Sequence, residues 1–219
     1  MAVPDGVSPT DAACIGTAGL TAYQSLAPYV KAGDQVFING GSGGTGVFGI
    51  QVAKALGCRV VTSCSGANGE FCRGLGADEI IDYRTQDVVA VLKGKGKVFD
   101  LVVDNVGGSS GLYWDAHHFL KEGGRVVQVG TGVSLGSIYQ LASRMLWPGW
   151  LGGCQRGITV LMAKNHEGEL KQLAEWMREG KVKAVVDEVF GMDEKGAVRA
   201  FVKLKTGRAR GKILVRVGE

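Results

Sequence analysis

The folds open to this chain are limited most by a glycine-rich run, Gly40 to Gly46, in which five of the seven residues are glycine. The run follows a short apolar stretch, Gln35 to Asn39, and precedes a helical pattern from Val47 to Gly57. The G-x-G-x-x-G spacing is met in this strand, turn and helix context by Gly41, Gly43 and Gly46. Glycines are needed there because backbone N–H groups at a helix N-terminus must approach a pyrophosphate with no Cβ in the way. The sequence therefore predicts a dinucleotide site at this turn, and the alternative is a merely tight strand-to-helix turn.

Short β-branched runs alternate with helical stretches along the rest of the chain. The predicted strands are Gln35–Asn39, Arg59–Thr62, Glu79–Ile81, Phe99–Asp104, Arg125–Val129, Val185–Phe190 and Ile213–Val217. Strands that are apolar throughout and separated by helices favour a parallel sheet covered on both faces. We therefore predict an α/β fold with a doubly wound, mostly parallel sheet, the Rossmann fold. Residues 1–29 are predicted to form a linking segment and an Ala-rich helix, and residues 30–219 the nucleotide-binding domain with a C-terminal return strand.

Composition and charge exclude several classes of protein. The 25 Lys and Arg residues are interspersed with 21 Asp and Glu residues, so the basic stripe typical of nucleic-acid binding is not found. No apolar run approaches the roughly 20 residues of a membrane span. The expected location is cytoplasmic, or mitochondrial if a targeting segment is missing. The five cysteines are odd in number and form no CxxC pair, so we expect reduced, mostly buried thiols rather than a disulfide framework.

The end of the second predicted strand bears on which nucleotide is bound. An NAD site usually places Asp or Glu about 20 residues past the glycines, where the acid binds the ribose 2′-OH. The segment from Thr62 to Gly69 has no acid, and the first carboxylate is Glu70. Without an acid a 2′-phosphate is not repelled, and Ser65 and Asn68 can donate hydrogen bonds to it. The pattern favours NADPH as the cofactor over NADH.

Six blocks, in order along the chain, carry a resemblance to a known family. They are Ala12–Ala13 with Ala18–Tyr23, Ser42–Gly46, Leu75–Tyr83, Asp104–Gly108, Gly123–Val127 and Gly207–Lys212. The sequence resembles the cofactor-binding half of a zinc-independent, quinone oxidoreductase-like member of the medium-chain dehydrogenase/reductase superfamily. The resemblance implies a partly open, substrate-binding β-barrel domain before this segment, and that N-terminal domain is expected to be absent from the 219 residues.

The resemblance also implies a set of cofactor-binding residues. The five turn residues would hold the pyrophosphate, and Ser65 and Asn68 would face the 2′-phosphate. Tyr83 would lie beside the adenosine end, the two pairs Asn105–Val106 and Gly130–Thr131 near the nicotinamide, and Arg208 would reach the adenosine phosphate. The set is Thr21, Ser42, Gly43, Gly44, Thr45, Gly46, Ser65, Asn68, Tyr83, Asn105, Val106, Gly130, Thr131 and Arg208. Two members have an alternative, because Tyr83 can be a packing aromatic at a strand end and Arg208 can belong to a solvated basic run.

The sequence predicts neither a metal site nor a catalytic acid or base. In zinc-dependent relatives a cysteine ligand comes from the segment matching residues 12–21, and its position falls on Thr17 here, with Cys14 out of register. His117 and His118 are adjacent on a predicted helix without a carboxylate or cysteine at ligand spacing. We expect both histidines to be structural, and the catalytic residues are not identified from the sequence.

The activity implied for the parent enzyme is transfer of a hydride from NADPH to a small electron-poor acceptor, a quinone or an α,β-unsaturated carbonyl. This chain would supply cofactor binding and be weakly active or inactive alone. The alternative is a nucleotide-binding module without catalysis, such as a redox-responsive interaction protein. An apolar cluster around Pro148, with Trp147 and Trp150, usually indicates core and less often a surface for another subunit, so a homodimer is a further expectation.

Overall fold

The computed structural model describes residues 6–107, 111–129 and 156–218. Its strands are β1 Gln35–Asn39, β2 Arg59–Cys64, β3 Glu79–Asp82, β4 Phe99–Asp104, β5 Leu120–Val129, β6 Gly157–Leu161, β7 Val186–Gly191 and β8 Lys212–Arg216. The first six form one parallel sheet in the order β3-β2-β1-β4-β5-β6. The order reverses beside β1, which places the end of β1 at the topological switch point where ligands of such sheets bind.

Helices connect the strands on both faces of the sheet. They are α1 Pro9–Cys14, α2 Leu20–Leu26, α3 Gly46–Ala55, α4 Gly69–Gly74, α5 Val88–Lys95, α6 Gly111–Trp114, α7 Glu167–Arg178 and α8 Glu194–Lys205. A π-helical turn, Ile15–Gly19, joins α1 to α2, so the predicted Ala-rich helix is present as one nearly continuous stretch. Within the described ranges no helix is long and apolar enough to cross a bilayer.

Successive residues of β1 point into two apolar layers, one on each side of the sheet. Val36 and Ile38 lie in a cluster with residues of α2, α3 and α7, whereas Phe37 lies in a second cluster with residues of α5 and α6. This alternation follows from the two-residue period of a strand. Because both layers are buried, the predicted doubly wound α/β fold is confirmed.

The C-terminal strands depart from the simplest form of that fold. β8 pairs in parallel with β7, and the two form a separate two-stranded sheet. The predicted return strand therefore does not extend the six-stranded sheet in the described part of the chain. β6, which the sequence analysis did not predict, is the sheet's sixth strand and is only half-buried. The division of the chain at residues 29 and 30 stays a prediction.

Gly46 is required by the packing of the turn against α3. A Cβ built on Gly46 would lie 2.1 Å from the carbonyl oxygen of Gly40 and 2.7 Å from the Cα of Gly41, and both of these are backbone atoms. We expect Gly46→Ala to lower the free energy of unfolding by about 1–3 kcal/mol, as overpacking does elsewhere. Urea unfolding monitored by circular dichroism measures this change.

The matched control is Gly94→Ala in α5, where a Cβ meets no heavy atom of the described residues within 4 Å. Alanine is favoured over glycine inside a helix, so this variant should be as stable as the unmodified chain or more stable. Equal unfolding midpoints for the two variants would contradict the clash at Gly46.

Candidate functional site

The glycine run forms a turn that is anchored to the end of β2. Gly40 has a φ of +80°, and its N–H donates to the Ser63 hydroxyl at 3.0 Å. The N–H of Gly41 donates to the Ser63 carbonyl at 2.9 Å. A Cβ on Gly41 would lie 2.1 Å from Oγ1 of Thr62, so the close approach of turn and strand requires glycine there.

Helix α3 begins directly after the turn and has no side-chain cap. Thr45 occupies the N-cap position, makes no capping hydrogen bond, and is followed by no acidic residue in the first turn of the helix. The first N–H groups of a helix lack partners within the helix, and the helix dipole makes this end positive. The N–H of Val47 donates to the carbonyl oxygen of Gly43 at 3.0 Å, so an anion at the start of α3 would be held by the remaining N–H groups and the helix dipole.

A cavity of about 770 Å³ opens at this edge of the sheet, where the carboxyl ends of β1 and β4 meet the turn. The cavity brings together eight of the predicted site residues, namely Ser42, Gly43, Gly44, Thr45, Gly46, Tyr83, Asn105 and Val106. Tyr83 is 55% exposed, so it lies at the cavity wall and is not a core residue.

The amide of Asn105 has no partner in the described part of the chain. Both its Oδ1 and its Nδ2 are buried, and neither makes a hydrogen bond there. Leaving a buried amide unsatisfied costs about 1–3 kcal/mol. Because Asn105 lines the cavity, its amide is available to a ligand that offers both a donor and an acceptor.

A buried polar network that sequence reasoning missed supports both loops of the site. The Asp104 carboxylate accepts hydrogen bonds from Asn39 Nδ2 at 2.8 Å and from the N–H groups of Val106 and Gly107 at 3.0 and 3.1 Å. The Ser63 hydroxyl donates to Asn39 Oδ1 at 2.5 Å. The network fixes the glycine turn relative to the loop after β4. Its signal in the sequence is a polar residue at the last or next-to-last position of each of three apolar strands.

Other predicted residues lie near the cavity without lining it. Asn68 donates from Nδ2 to the Ser42 hydroxyl at 3.1 Å, and so touches the turn. Ser65 begins the short 3₁₀ turn that contains Asn68. Arg208 is exposed, although its neighbours in sequence line the cavity. Gly130 and Thr131 fall outside the described residues.

Thr21 is the predicted site residue that the structure places away from the cavity. It is buried in α2, and its hydroxyl donates to the carbonyl oxygen of Thr17 at 2.7 Å. Its hydrogen-bonding capacity is thus used within the helix. Thr17, the position that corresponds to a zinc-ligating cysteine in zinc-dependent relatives, belongs to the same π-helical turn.

An acid does lie beside the end of the second strand, although the sequence from Thr62 to Gly69 contains none. It is Asp82, at the end of the neighbouring β3. A Cβ built on Gly66, two residues after β2, would be 2.6 Å from Oδ2 of Asp82. The absence of an acid before Glu70 therefore does not leave this edge free of negative charge.

The cysteines and histidines of the described chain do not form a metal site. No group of three potential ligands occurs among these residues. Burial raises the pKa of Cys58 to about 11 and the pKa of Cys72 to about 12, so both thiols stay protonated at neutral pH. The ring centroids of His117 and His118 lie 4.0 Å apart with the rings tilted by 39°, and burial lowers the pKa of His117. The expectation that no metal is bound stays a prediction.

The fold and the site together define a class of protein. A parallel α/β sheet whose switch point carries a glycine turn, an uncapped helix and an open cavity is a dinucleotide-binding domain of the Rossmann type. A family model described as zinc-binding dehydrogenase matches residues 75–215, which is well over half of the chain. The chain belongs to this family, within the medium-chain dehydrogenase/reductase superfamily, and the resemblance identified from the sequence is confirmed.

Individual relatives carry names of oxidoreductases. The chain is 51% identical over 222 residues to the trans-enoyl reductase pgmF of Aspergillus terreus, covering 100% of the chain and 62% of that protein. The quinone oxidoreductase of Coxiella burnetii superposes with a TM-score of 0.83 at 33% identity, covering 100% of the chain and 64% of that one. Escherichia coli quinone oxidoreductase, solved complexed with NADPH, gives a TM-score of 0.76 at 25% identity, covering 99% and 68%. The chain thus spans less than two thirds of the length of the pgmF relative.

Proposed function

We propose that this chain binds NADPH at the glycine turn and supplies the cofactor half of an enzyme that reduces a quinone or an α,β-unsaturated carbonyl. The observation that carries the proposal is the uncapped start of α3 opening into the same cavity as the partnerless Asn105 amide. An anionic pyrophosphate fits the first, and a carboxamide fits the second. A nicotinamide dinucleotide contains both groups.

The reacting group belongs to the cofactor, because a bound reduced nicotinamide supplies the hydride. The residues of the chain bind and orient it. The N-terminal end of α3 would bind the pyrophosphate, and the Asn105 amide would fix the ring orientation near the end of β4. Asp87, the acid at the cavity wall, already accepts hydrogen bonds from the N–H groups of Val89 and Ala90 and so acts as the cap of α5.

The type of acceptor follows from the relatives' names. A trans-enoyl reductase and two quinone oxidoreductases act, by those names, on small molecules with an electron-poor double bond or ring. A small-molecule acceptor of this class is proposed for the enzyme to which the chain belongs. The homodimer and the cytoplasmic location expected from the sequence stay predictions.

NADPH is proposed over NADH on two grounds. Ser65 and Asn68 offer donors beside the turn, and the E. coli quinone oxidoreductase was solved in complex with NADPH. Asp82 opposes this choice, because its carboxylate lies against Gly66. The preference therefore depends on a balance between hydroxyl and amide donors on one side and one carboxylate on the other.

Fluorescence titration with NADPH and NADH tests the proposal, and two variants test the balance. Ser65→Asp should shift the affinity ratio toward NADH by roughly 5- to 150-fold, equivalent to about 1–3 kcal/mol, because a second carboxylate repels the 2′-phosphate. Asp82→Asn should shift the ratio toward NADPH, since it removes the existing charge and keeps an oxygen acceptor for the N–H of Arg84.

Ala90→Asp is the control, because position 90 is exposed and lies outside the cavity wall. It adds the same charge and should leave the ratio unchanged. Failure of the unmodified chain to bind either nucleotide would refute the proposed function. Binding with an affinity ratio that neither variant alters would refute only the assignment of cofactor preference to this edge.

A further inference from the structure

The beginning of β8 docks directly on the glycine turn. The N–H of Gly211 donates to the carbonyl oxygen of Ser42 at 3.0 Å, and the N–H of Lys212 donates to the carbonyl oxygen of Val185 at 2.8 Å. Gly211 is buried with a φ of +86°, and a Cβ there would lie 2.4 Å from the Val185 carbonyl oxygen. Only glycine permits this approach, so the position of Lys212 relative to the turn is fixed by backbone contacts.

The side chain of Lys212 extends along the turn. A Cβ built on Gly44 would lie 3.5 Å from Cδ and 3.8 Å from Nζ of Lys212. Lys212 is half-buried and lines the same cavity as the start of α3. Among the described residues that line this cavity it is the one lysine or arginine, and it makes no ion pair or side-chain hydrogen bond within the described part of the chain.

We propose that Lys212 is the cation that binds the cofactor's pyrophosphate, which rests on the proposed function. The N-terminus of α3 supplies only about half a positive charge, whereas each phosphate of the dinucleotide is negatively charged. A lysine ammonium serves phosphate as a point charge with three donors. The side chain of Lys212 lies beside Gly44, and so would add a full charge to the partial charge at the start of α3.

The proposal gives the two-stranded sheet a role in cofactor binding. Lys212 is the first residue of β8, and it lies 168 positions after Gly44 in the sequence. The β7–β8 sheet and the six-stranded sheet would then both contact one ligand. The alternative is a solvated lysine whose aliphatic stem merely covers the turn.

Lys212→Met tests the proposal, because methionine keeps the length of the stem and removes the charge. NADPH and NADH both carry a pyrophosphate, and adenosine 2′-monophosphate carries a 2′-phosphate without one. We expect the affinity for NADPH and for NADH to fall by the same factor, roughly 10- to 100-fold, as for loss of a hydrogen bond between charged groups. The affinity for adenosine 2′-monophosphate should be unchanged. Lys212→Arg should keep most of the affinity, and Lys205→Met, an exposed lysine at the end of α8, should keep all of it.

A second measurement, made on the unmodified chain, tests the proposal even if the Lys212→Met variant does not fold. Amine-reactive labelling followed by mass spectrometry should show Lys212 protected by NADPH and by NADH and not by adenosine 2′-monophosphate, with Lys205 labelled throughout. Unchanged affinity in a folded Lys212→Met variant, unprotected Lys212, or an equal loss for adenosine 2′-monophosphate would each overturn the assignment. If the unmodified chain binds NADPH while one of these results is obtained, the proposed function stands and only this inference fails.

Discussion

Gly43→Val is expected to weaken NADPH binding at least 100-fold, about 3 kcal/mol, with little change in the free energy of unfolding. A Cβ on Gly43 would meet a single heavy atom of the described residues within 4 Å, the Gly40 carbonyl oxygen at an ordinary 3.5 Å. Gly43 also has no positive φ, so a side chain is not strained there. The added isopropyl group would occupy cavity space next to the start of α3 and displace the pyrophosphate from its charge-assisted hydrogen bonds.

Isothermal titration with NADPH and urea unfolding measure the two quantities separately. Gly49→Ala is the matched control, because it adds a Cβ in α3, the helix after the turn, at 3.5 Å from Ile38 Cδ1 and away from the cavity. It should bind NADPH as the unmodified chain does. A folded Gly43→Val variant with full affinity would show that the glycine turn is not the pyrophosphate site.

The contrast between Gly43 and Gly40 shows what a motif can predict. The G-x-G-x-x-G spacing predicted the turn and its place before α3, and the structure brings five predicted turn residues to one cavity. The same motif suggests a positive φ at Gly43, whereas that conformation occurs at Gly40. Which glycine turns the chain depends on hydrogen bonds to Ser63, 23 residues away from Gly40, and a local pattern carries no information about them.

Residues that meet across strands were the ones the sequence did not reveal. Asp82 reaches Gly66 because β3 lies beside β2, and Asn39 meets Asp104 because β4 lies beside β1. Asp82, Asn39 and Asp104 each end a strand and Gly66 lies two residues past one, so their neighbours are set by strand order rather than by spacing along the chain. The position of Lys212 at the cavity depends on a further contact, because the β7–β8 sheet packs against the turn.

The exposed apolar face of α8 was also not predicted. The helix α2 around Leu20, by contrast, is covered within the chain, where Tyr23 contacts Trp176 with ring centroids 5.7 Å apart. On α8, Phe201 and Val202 are 65% and 59% exposed. Phe201 also lines a second cavity of about 390 Å³ that reaches Gly43 and Gly44. An exposed apolar surface of this kind is typical of an interaction site. The cluster with Trp147 and Trp150 lies outside the described residues.

The 219-residue chain alone is expected to oxidise NADPH with quinones or enones at least 10³-fold more slowly than a chimera that adds the uncovered part of the A. terreus relative. The chain spans 62% of that relative. Hydride transfer requires the acceptor to be held about 3–3.5 Å from the nicotinamide with water excluded. The described cavity residues are the ones proposed to contact the dinucleotide, and Phe201 and Val202 on α8 are exposed.

Steady-state assays with a panel of quinones and enones, run beside NADPH titrations on both proteins, separate positioning from binding. Similar NADPH affinity with very different turnover would support a cleft completed by the added part. Turnover of about 1–10³ s⁻¹ from the chain alone, the ordinary range of enzymes, would show that no further wall is needed. If both proteins bind NADPH and neither reduces any acceptor, the chain is better described as a nucleotide-binding module, because cofactor binding would then occur without the positioned acceptor that hydride transfer requires.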